Sequence, residues 1–342
     1  MLRMIKIFFF ILLSIAGTEF FLKLSDPLFH HIFFYDKNIG FRVKPFRLNS
    51  NSDGFNDREY SRKKNKDIKR IMALGDSFNW IGGYTNNYWT LAENFLNKKN
   101  SKVEIINQGA PGIGPSTLFR ILKSISIQFD PDIVFLAFYV GNDFFESNLN
   151  IIRIPRFDFP FDINPSPHHF LEKVKNSYLY FVTHRIARLT SERILRTRGT
   201  FSKREFFRIE KNFMKTCQAQ FYTSPDWHFT QNMFIELKNY LSSRNIKLYV
   251  VILPDESQIN KTLRNDILNK YNALETDYSW SLPQKEIKSF LSGLGIESLD
   301  LLPYFQEQAN KELYKFRDTH FNNEGNLLAA THVANFIQAH LK

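Results

Sequence analysis

Residues 133–140 read IVFLAFYV, a run of strand length that is apolar at nearly every position. A strand with one face in water alternates apolar and polar side chains. A continuous apolar run instead predicts a strand covered on both faces, as in the middle of a parallel sheet. Four further segments read as strands: Arg70–Gly75, Val103–Asn107, Lys247–Leu253 and, shorter, Ile296–Leu299. Stretches with helical spacing separate them, at 87–99, from Pro115 through Leu118, Ile121, Leu122 and Ile125, and at 231–243, 284–294 and 324–340. Five apolar strands alternating with helices predict an α/β domain, a parallel sheet with helices on both faces.

One region breaks the alternation. Residues 144–229 are rich in aromatic, proline and basic residues and are read as an inserted cap, with helical pieces around 170–195 and 205–220. At the N-terminus, Arg3 and Lys6 precede an apolar run from Ile7 to Leu22. This is the pattern of an export signal. Because FFLKL (20–24) continues it past the small residues around Ala16, residues 1–24 are read as an uncleaved anchor, with a cleaved signal as second choice. Positive charge stays on the cytoplasmic side, so the body is expected outside the cytoplasmic membrane. Residues 25–68, polar and turn-rich, read as a stalk folded against a domain spanning 69–342.

Composition narrows the function. The chain of 342 residues is 43% hydrophobic and 23% charged, which is globular, and its 36 phenylalanines predict an aromatic core. Its formal charge of +11 fits an anionic partner. The basic residues are scattered, though, and no nucleic-acid-binding motif accompanies them, so nucleic acid is not expected. The lone cysteine, Cys217, excludes an intramolecular disulfide and is read as a buried thiol. The histidine pairs His30–His31 and His168–His169 have no carboxylate motif beside them and are not read as metal ligands.

The chemistry lies at the strand ends. Ser77 follows the first strand in IMALGDSFN, Gly109 follows the second, and Asn142 follows the third, so all three converge on the rim where α/β sheets bind ligands. Far down the chain, RDTHFNNEGN sets Asp318 two residues from His320. A serine hydroxyl attacks only when a base takes its proton, and a histidine base needs a carboxylate to orient it. Ser77 is therefore the candidate nucleophile, His320 the base and Asp318 the orienter. The oxyanion of an attacked ester needs fixed donors, for which the Ser77 and Gly109 N–H groups and the Asn142 amide are suitable. Trp80, Tyr84 and Trp89 close behind Ser77 are candidates for a sugar-stacking wall, although Trp89 is read first as helix packing, and Arg317 is a candidate for a substrate carboxylate.

With these residues in place the chain resembles the SGNH (GDSL-type) hydrolase superfamily. The first block matches Gly75-Asp76-Ser77, the second Asn107-Gln108-Gly109, the third Gly141-Asn142-Asp143 and the fifth Asp318-Thr319-His320. The resemblance covers Lys69 to the C-terminus apart from the insertion. It implies a three-layer, flavodoxin-like fold, ester or acyl-transfer chemistry, and no metal or other cofactor. Two spacings depart from the usual pattern: no residue separates Gly141 from Asn142, and one, not two, separates Asp318 from His320. The shorter Asp-x-His pair is that of members that O-acetylate exopolysaccharides. Together with NSNSDGFNDREY (49–60) and the leader, it resembles the bacterial envelope members. The expected substrate is acylated envelope carbohydrate. The alternatives are a lipase or thioesterase of the same fold and a non-catalytic carbohydrate-binding protein.

Overall fold

The computed structural model describes residues 2–99, 101–165, 170–183 and 200–341. His168 and His169 lie outside the described residues, as does much of the expected 170–195 helix. In chain order the strands are β1 (Phe33–Asp36), β2 (Gly40–Val43), β3 (Lys69–Gly75), β4 (Val103–Gly109), β5 (Ile133–Tyr139), β6 (Ile152–Arg156), β7 (Phe159–Ile163), β8 (Lys247–Leu253) and β9 (Glu297–Asp300). The chain forms two compact units, one from residues 1–44 and 150–196, the other from 45–149 and 197–342.

The larger unit is an α/β domain around a five-stranded parallel sheet of order β4-β3-β5-β8-β9. Every residue of β5, the central strand, is buried, as the unbroken apolar run requires. Its side chains alternate between two cores. Phe135 stacks on Tyr249 of β8 and meets Trp89 and Phe336, from the helices Tyr88–Lys98 and Asn323–His340. Phe138 points the other way, onto Phe144 and onto Phe234 of the helix Pro225–Ser242. Burying one such ring contributes about 1.5–3 kcal/mol.

Helix starts differ from the apolar spacing where capping decides them. The helix expected from residue 231 begins at Pro225, because the Ser224 side chain accepts from Trp227 N and proline suits the first turn. Residues 45–68 belong to this unit and pack on the β4 edge. Asp57 is buried and accepts hydrogen bonds from the Asn107 N–H at 2.8 Å and the Tyr60 hydroxyl at 2.9 Å.

The smaller unit opens with a helix, α1 (Leu2–Ser25), whose side chains from Arg3 onward are exposed except for half-buried Glu19, Leu22 and Ser25. The antiparallel hairpins β1–β2 and β6–β7 follow it, together with a short helix at Phe170–Lys175. The hairpins meet closely. A Cβ at Gly40, where φ is +98°, would lie 2.3 Å from the Arg153 carbonyl. Asp158, in the β6–β7 turn, accepts from the backbone N–H groups of His31, Ile32 and Phe33 at 3.1, 2.8 and 2.7 Å. Neither β1 nor β2 shows in the sequence, because FFYD and GFRV are too short to establish a period.

Candidate active site

Strand order places the site. β3 has β4 on one side and β5 on the other, so the chain reverses its direction of winding at the carboxyl end of β3. Such a switch point leaves a crevice. Ser77 stands there, as the first residue of a one-turn helix, Ser77–Trp80, capped by Asp76 through Phe78 N at 2.9 Å.

A buried amide network holds this turn. Gly75 and Gly109 are paired across β3 and β4. A Cβ on Gly75 would lie 2.3 Å from the Asn79 side chain, and one on Gly109 would lie 2.1 Å from Asn79 Cβ. Only glycine lets Asn79 fill that space. Asn79 is fully buried, and its Oδ1 accepts from the Tyr88 hydroxyl at 2.5 Å. Asn107 Nδ2 donates to the Asn79 carbonyl at 2.7 Å, and Asn87 Nδ2 donates to the carbonyls of Phe78 and Ile81 at 2.9 and 2.8 Å. Asn79 and Asn87 were not singled out in the sequence. The only signal is an unusual density of asparagine after the Gly-Asp-Ser turn.

His320 comes from the other end of the chain. The loop 313–322 is closed by the Tyr314–Phe321 bridge and by Lys315 N donating to the His320 carbonyl at 2.9 Å. Asn322 then caps the last helix through Gly325 N. His320 Nε2 lies 2.7 Å from Ser77 Oγ, and His320 Nδ1 lies 2.5 Å from Asp318 Oδ1. The same carboxylate oxygen accepts from the His320 backbone N–H at 3.2 Å. The one-residue spacing thus folds Asp318 back onto its histidine in an Asx-type turn.

Asp318 has another partner. Thr200 Oγ1 donates to its Oδ2 at 2.5 Å, and Phe201 N donates to the Arg317 carbonyl at 3.1 Å. Nothing in the sequence around Thr200 announces this contact. Burial pushes the Asp318 carboxyl up, but hydrogen bonds from His320 and Thr200 and the imidazole charge outweigh it, leaving the group below its ordinary value. An ionised Asp318 accepts from Nδ1–H, which leaves Nε2 free to accept the Ser77 proton.

Asp76, beside the nucleophile, behaves oppositely. Burial and the Glu146 charge raise its pKa to about 6 against the Phe78 N–H, the His320 charge and a hydrogen bond from the Asn142 side chain. Asn142 Oδ1 is buried and, among the described residues, has no hydrogen-bond partner. An amide carries two N–H bonds, so a bond to Asp76 leaves one for a ligand. Gly141 before it is required by space, since a Cβ there would lie 2.4 Å from the Tyr139 ring.

Trp80 ends the one-turn helix that Ser77 opens and is half-buried, whereas the other candidates lie elsewhere. Trp89 is buried in the core, and Tyr84 is exposed beside the Arg58 guanidinium. Arg317 lies over the Phe316 ring. A cavity of about 510 Å³ is lined by Lys203, Phe206, Phe207, Tyr314 and Arg317 among others. Its lining stops one residue short of Asp318 and includes neither Ser77 nor His320. Cys217 is buried, and burial pushes its thiol up. Among the described residues no group of three or more His, Cys, Asp or Glu is arranged to hold a metal ion.

The parallel sheet carries Ser77 just past the end of β3, Gly109 at the end of β4 and Asn142 past the end of β5, and the loop 313–322 brings His320 to Ser77. Residues 216–342, which carry Asp318 and His320, match the family described as "SGNH hydrolase-like domain, acetyltransferase AlgX". Among solved structures the chain is similar to an acetyl xylan esterase, AlAXEase, at 15% identity and TM-score 0.44, covering 78% of this chain and 99% of that one. It is also similar to a lipase/acylhydrolase from Enterococcus faecalis, at 13% identity and TM-score 0.40, covering 80% and 98%. A third is the esterase EstA from a Pseudoalteromonas species, at 10% identity and TM-score 0.39, covering 80% and 98%. No curated protein matches the sequence.

Proposed function

We propose that this protein is a serine esterase or O-acetyltransferase that removes or transfers acyl groups, most simply acetyl, on cell-envelope carbohydrate. The observation that carries the reading is the continuous relay from Ser77 Oγ through His320 to Asp318, at 2.7 and 2.5 Å. A carbohydrate-binding module has no need of such a relay. The family matched by residues 216–342 is described as an acetyltransferase, which supports acetyl as the group.

In the first half-reaction Ser77 Oγ attacks the acyl carbonyl carbon while His320 Nε2 takes the hydroxyl proton. Negative charge develops on the carbonyl oxygen, where the Ser77 N–H, the Gly109 N–H and the Asn142 amide are the donors assigned to it. The intermediate collapses to an acyl-serine, and the proton on Nε2 passes to the departing alkoxide. In the second half-reaction His320 activates an acceptor hydroxyl that attacks the acyl-serine and restores Ser77. Water as acceptor makes the protein an esterase, and a sugar hydroxyl makes it a transferase. The same residues serve both, so the choice lies in which acceptor reaches the acyl-serine.

We assign α1 as an uncleaved anchor. Its 24 residues span about 36 Å at 1.5 Å per residue, enough for a hydrocarbon core of about 30 Å. Arg3 and Lys6 at its start put the catalytic body outside the cytoplasmic membrane. The test of activity is p-nitrophenyl acetate turnover by the full chain in detergent, beside Ser77→Ala. Turnover lost in the variant supports the reading, and turnover retained overturns it.

A further inference from the structure

Glu19 is the one acidic residue in α1, set between Gly17-Thr18 and Phe20-Phe21 in a largely apolar helix. A carboxylate at that place needs partners. The smaller unit supplies them: Glu19 Oε1 accepts from Tyr178 N at 2.7 Å and Oε2 from Leu179 N at 2.8 Å. Glu19 thus caps the helical turn that begins at Tyr178. About two turns further along, Asp26 accepts from the Tyr178 hydroxyl at 3.0 Å and from Phe157 N at 2.5 Å. Arg156 donates to the carbonyls of Asn176 and Ser177 at 2.5 and 2.9 Å. Residues 176–179 are therefore fastened alongside the end of α1, and their depth is set by it.

That depth is calculable. Six residues separate Glu19 from the end of α1 at Ser25, about 9 Å along the helix. The helix Phe170–Lys175 ends three residues before Tyr178, whose N–H is bonded to Glu19, so its last residue lies within about 10 Å of Tyr178. Its outer side chains are those of no ordinary water-facing helix. Phe170 is 77% exposed and Leu171 70%, with Val174 exposed beside them. Lys173 and Lys175, also exposed, stand among them. Exposed apolar residues mixed with lysine at the level where a membrane helix leaves the bilayer are the chemistry of the lipid headgroup boundary.

We infer that residues 170–180 form a second, peripheral membrane contact, dipping Phe170 and Leu171 into the outer leaflet while Lys173 and Lys175 meet anionic headgroups. The inference rests on α1 being a membrane anchor. It gives Glu19 its function, because the capping bond sets the depth of the segment. The smaller unit then has two attachments to the bilayer in place of one.

The test uses the full chain carrying Leu171→Cys, labelled with an environment-sensitive maleimide fluorophore. Buried Cys217 stays unlabelled. The protein is reconstituted into phosphatidylcholine vesicles with or without phosphatidylglycerol, and flotation is read beside quenching by lipids brominated near the headgroup. The expected result is flotation with blue-shifted emission that the brominated lipid quenches. Quenching should be stronger with phosphatidylglycerol and lose that increment in K173E/K175E. A chain that floats while its label emits as in water, unquenched, overturns the contact and leaves the anchor standing. A chain that does not float overturns the anchor and the contact together. Neither result bears on Ser77.

Discussion

The Thr200 hydroxyl donates to Asp318 Oδ2, the carboxylate oxygen that His320 does not use. Asp318 is held from both sides, and the threonine comes from a segment 118 residues upstream. Thr200→Val keeps the side-chain shape and removes the donor. A hydrogen bond to a charged group contributes about 1.5–3 kcal/mol, so turnover is expected to fall by about 10- to 150-fold with KM little changed. Thr200→Ser should retain most of the rate. Equal rates for valine and serine would show that the bond does not serve the histidine.

Asn142→Ala tests the oxyanion site. Removing one donor to a developing oxyanion typically costs about 10²–10³ in kcat. The expected result is a loss of that order in p-nitrophenyl acetate turnover, with the folded far-ultraviolet spectrum retained. A rate near that of the parent would assign Asn142 to holding Asp76 alone.

Gly109→Ala is expected to damage stability and activity together. Its Cβ would lie 2.1 Å from Asn79 Cβ and 2.9 Å from the Asp76 carbonyl, inside a packed turn. Overpacking of this kind costs about 1–3 kcal/mol, visible as a lower urea midpoint. It also moves the turn that carries Ser77. An alanine variant with the parent's midpoint and turnover would contradict the packing described for Asn79.

Stability should decline as pH rises from about 4 to about 8. Burial raises the carboxyl pKa values of Asp57 and Glu256 to about 7 and that of Asp76 to about 6, and it pushes Glu210 well above the ordinary range. The folded state then holds protons that the unfolded chain has released, and stability falls wherever that is so. Asp318 has the opposite sign: its folded value is depressed, so its contribution is present above the ordinary carboxyl range and lost only in stronger acid. Each tenfold difference in proton affinity corresponds to about 1.4 kcal/mol. Urea midpoints at pH 5 and pH 8 check the sign. Glu210→Gln, a neutral replacement for a fully buried acid, should flatten the slope, and an unchanged slope would exclude Glu210 as a contributor.

What could be read from the sequence follows from what leaves a local trace. The parallel sheet was legible because β3, β5 and β8 are apolar on both faces, and strand ends then placed Ser77, Gly109 and Asn142 on one rim. The Asp318–His320 pair was legible because both residues sit in one short motif. Thr200 was not, since its partner is remote in sequence and a threonine in a basic stretch carries no period. Nor was the clamp of Asn79, Asn87 and Asn107, whose significance depends on the space left by Gly75 and Gly109 across two strands. The β1–β2 hairpin was missed because it is made by contact with β6–β7 more than by its own four-residue strands.

The most direct measurement is the site of covalent capture. The full chain is treated with a fluorophosphonate, digested, and its phosphonylated peptide sequenced by mass spectrometry. The account predicts a single adduct on Ser77, with the rate of capture falling sharply in His320→Ala. An adduct on another residue, or a His320→Ala protein captured as fast as the parent, would contradict it.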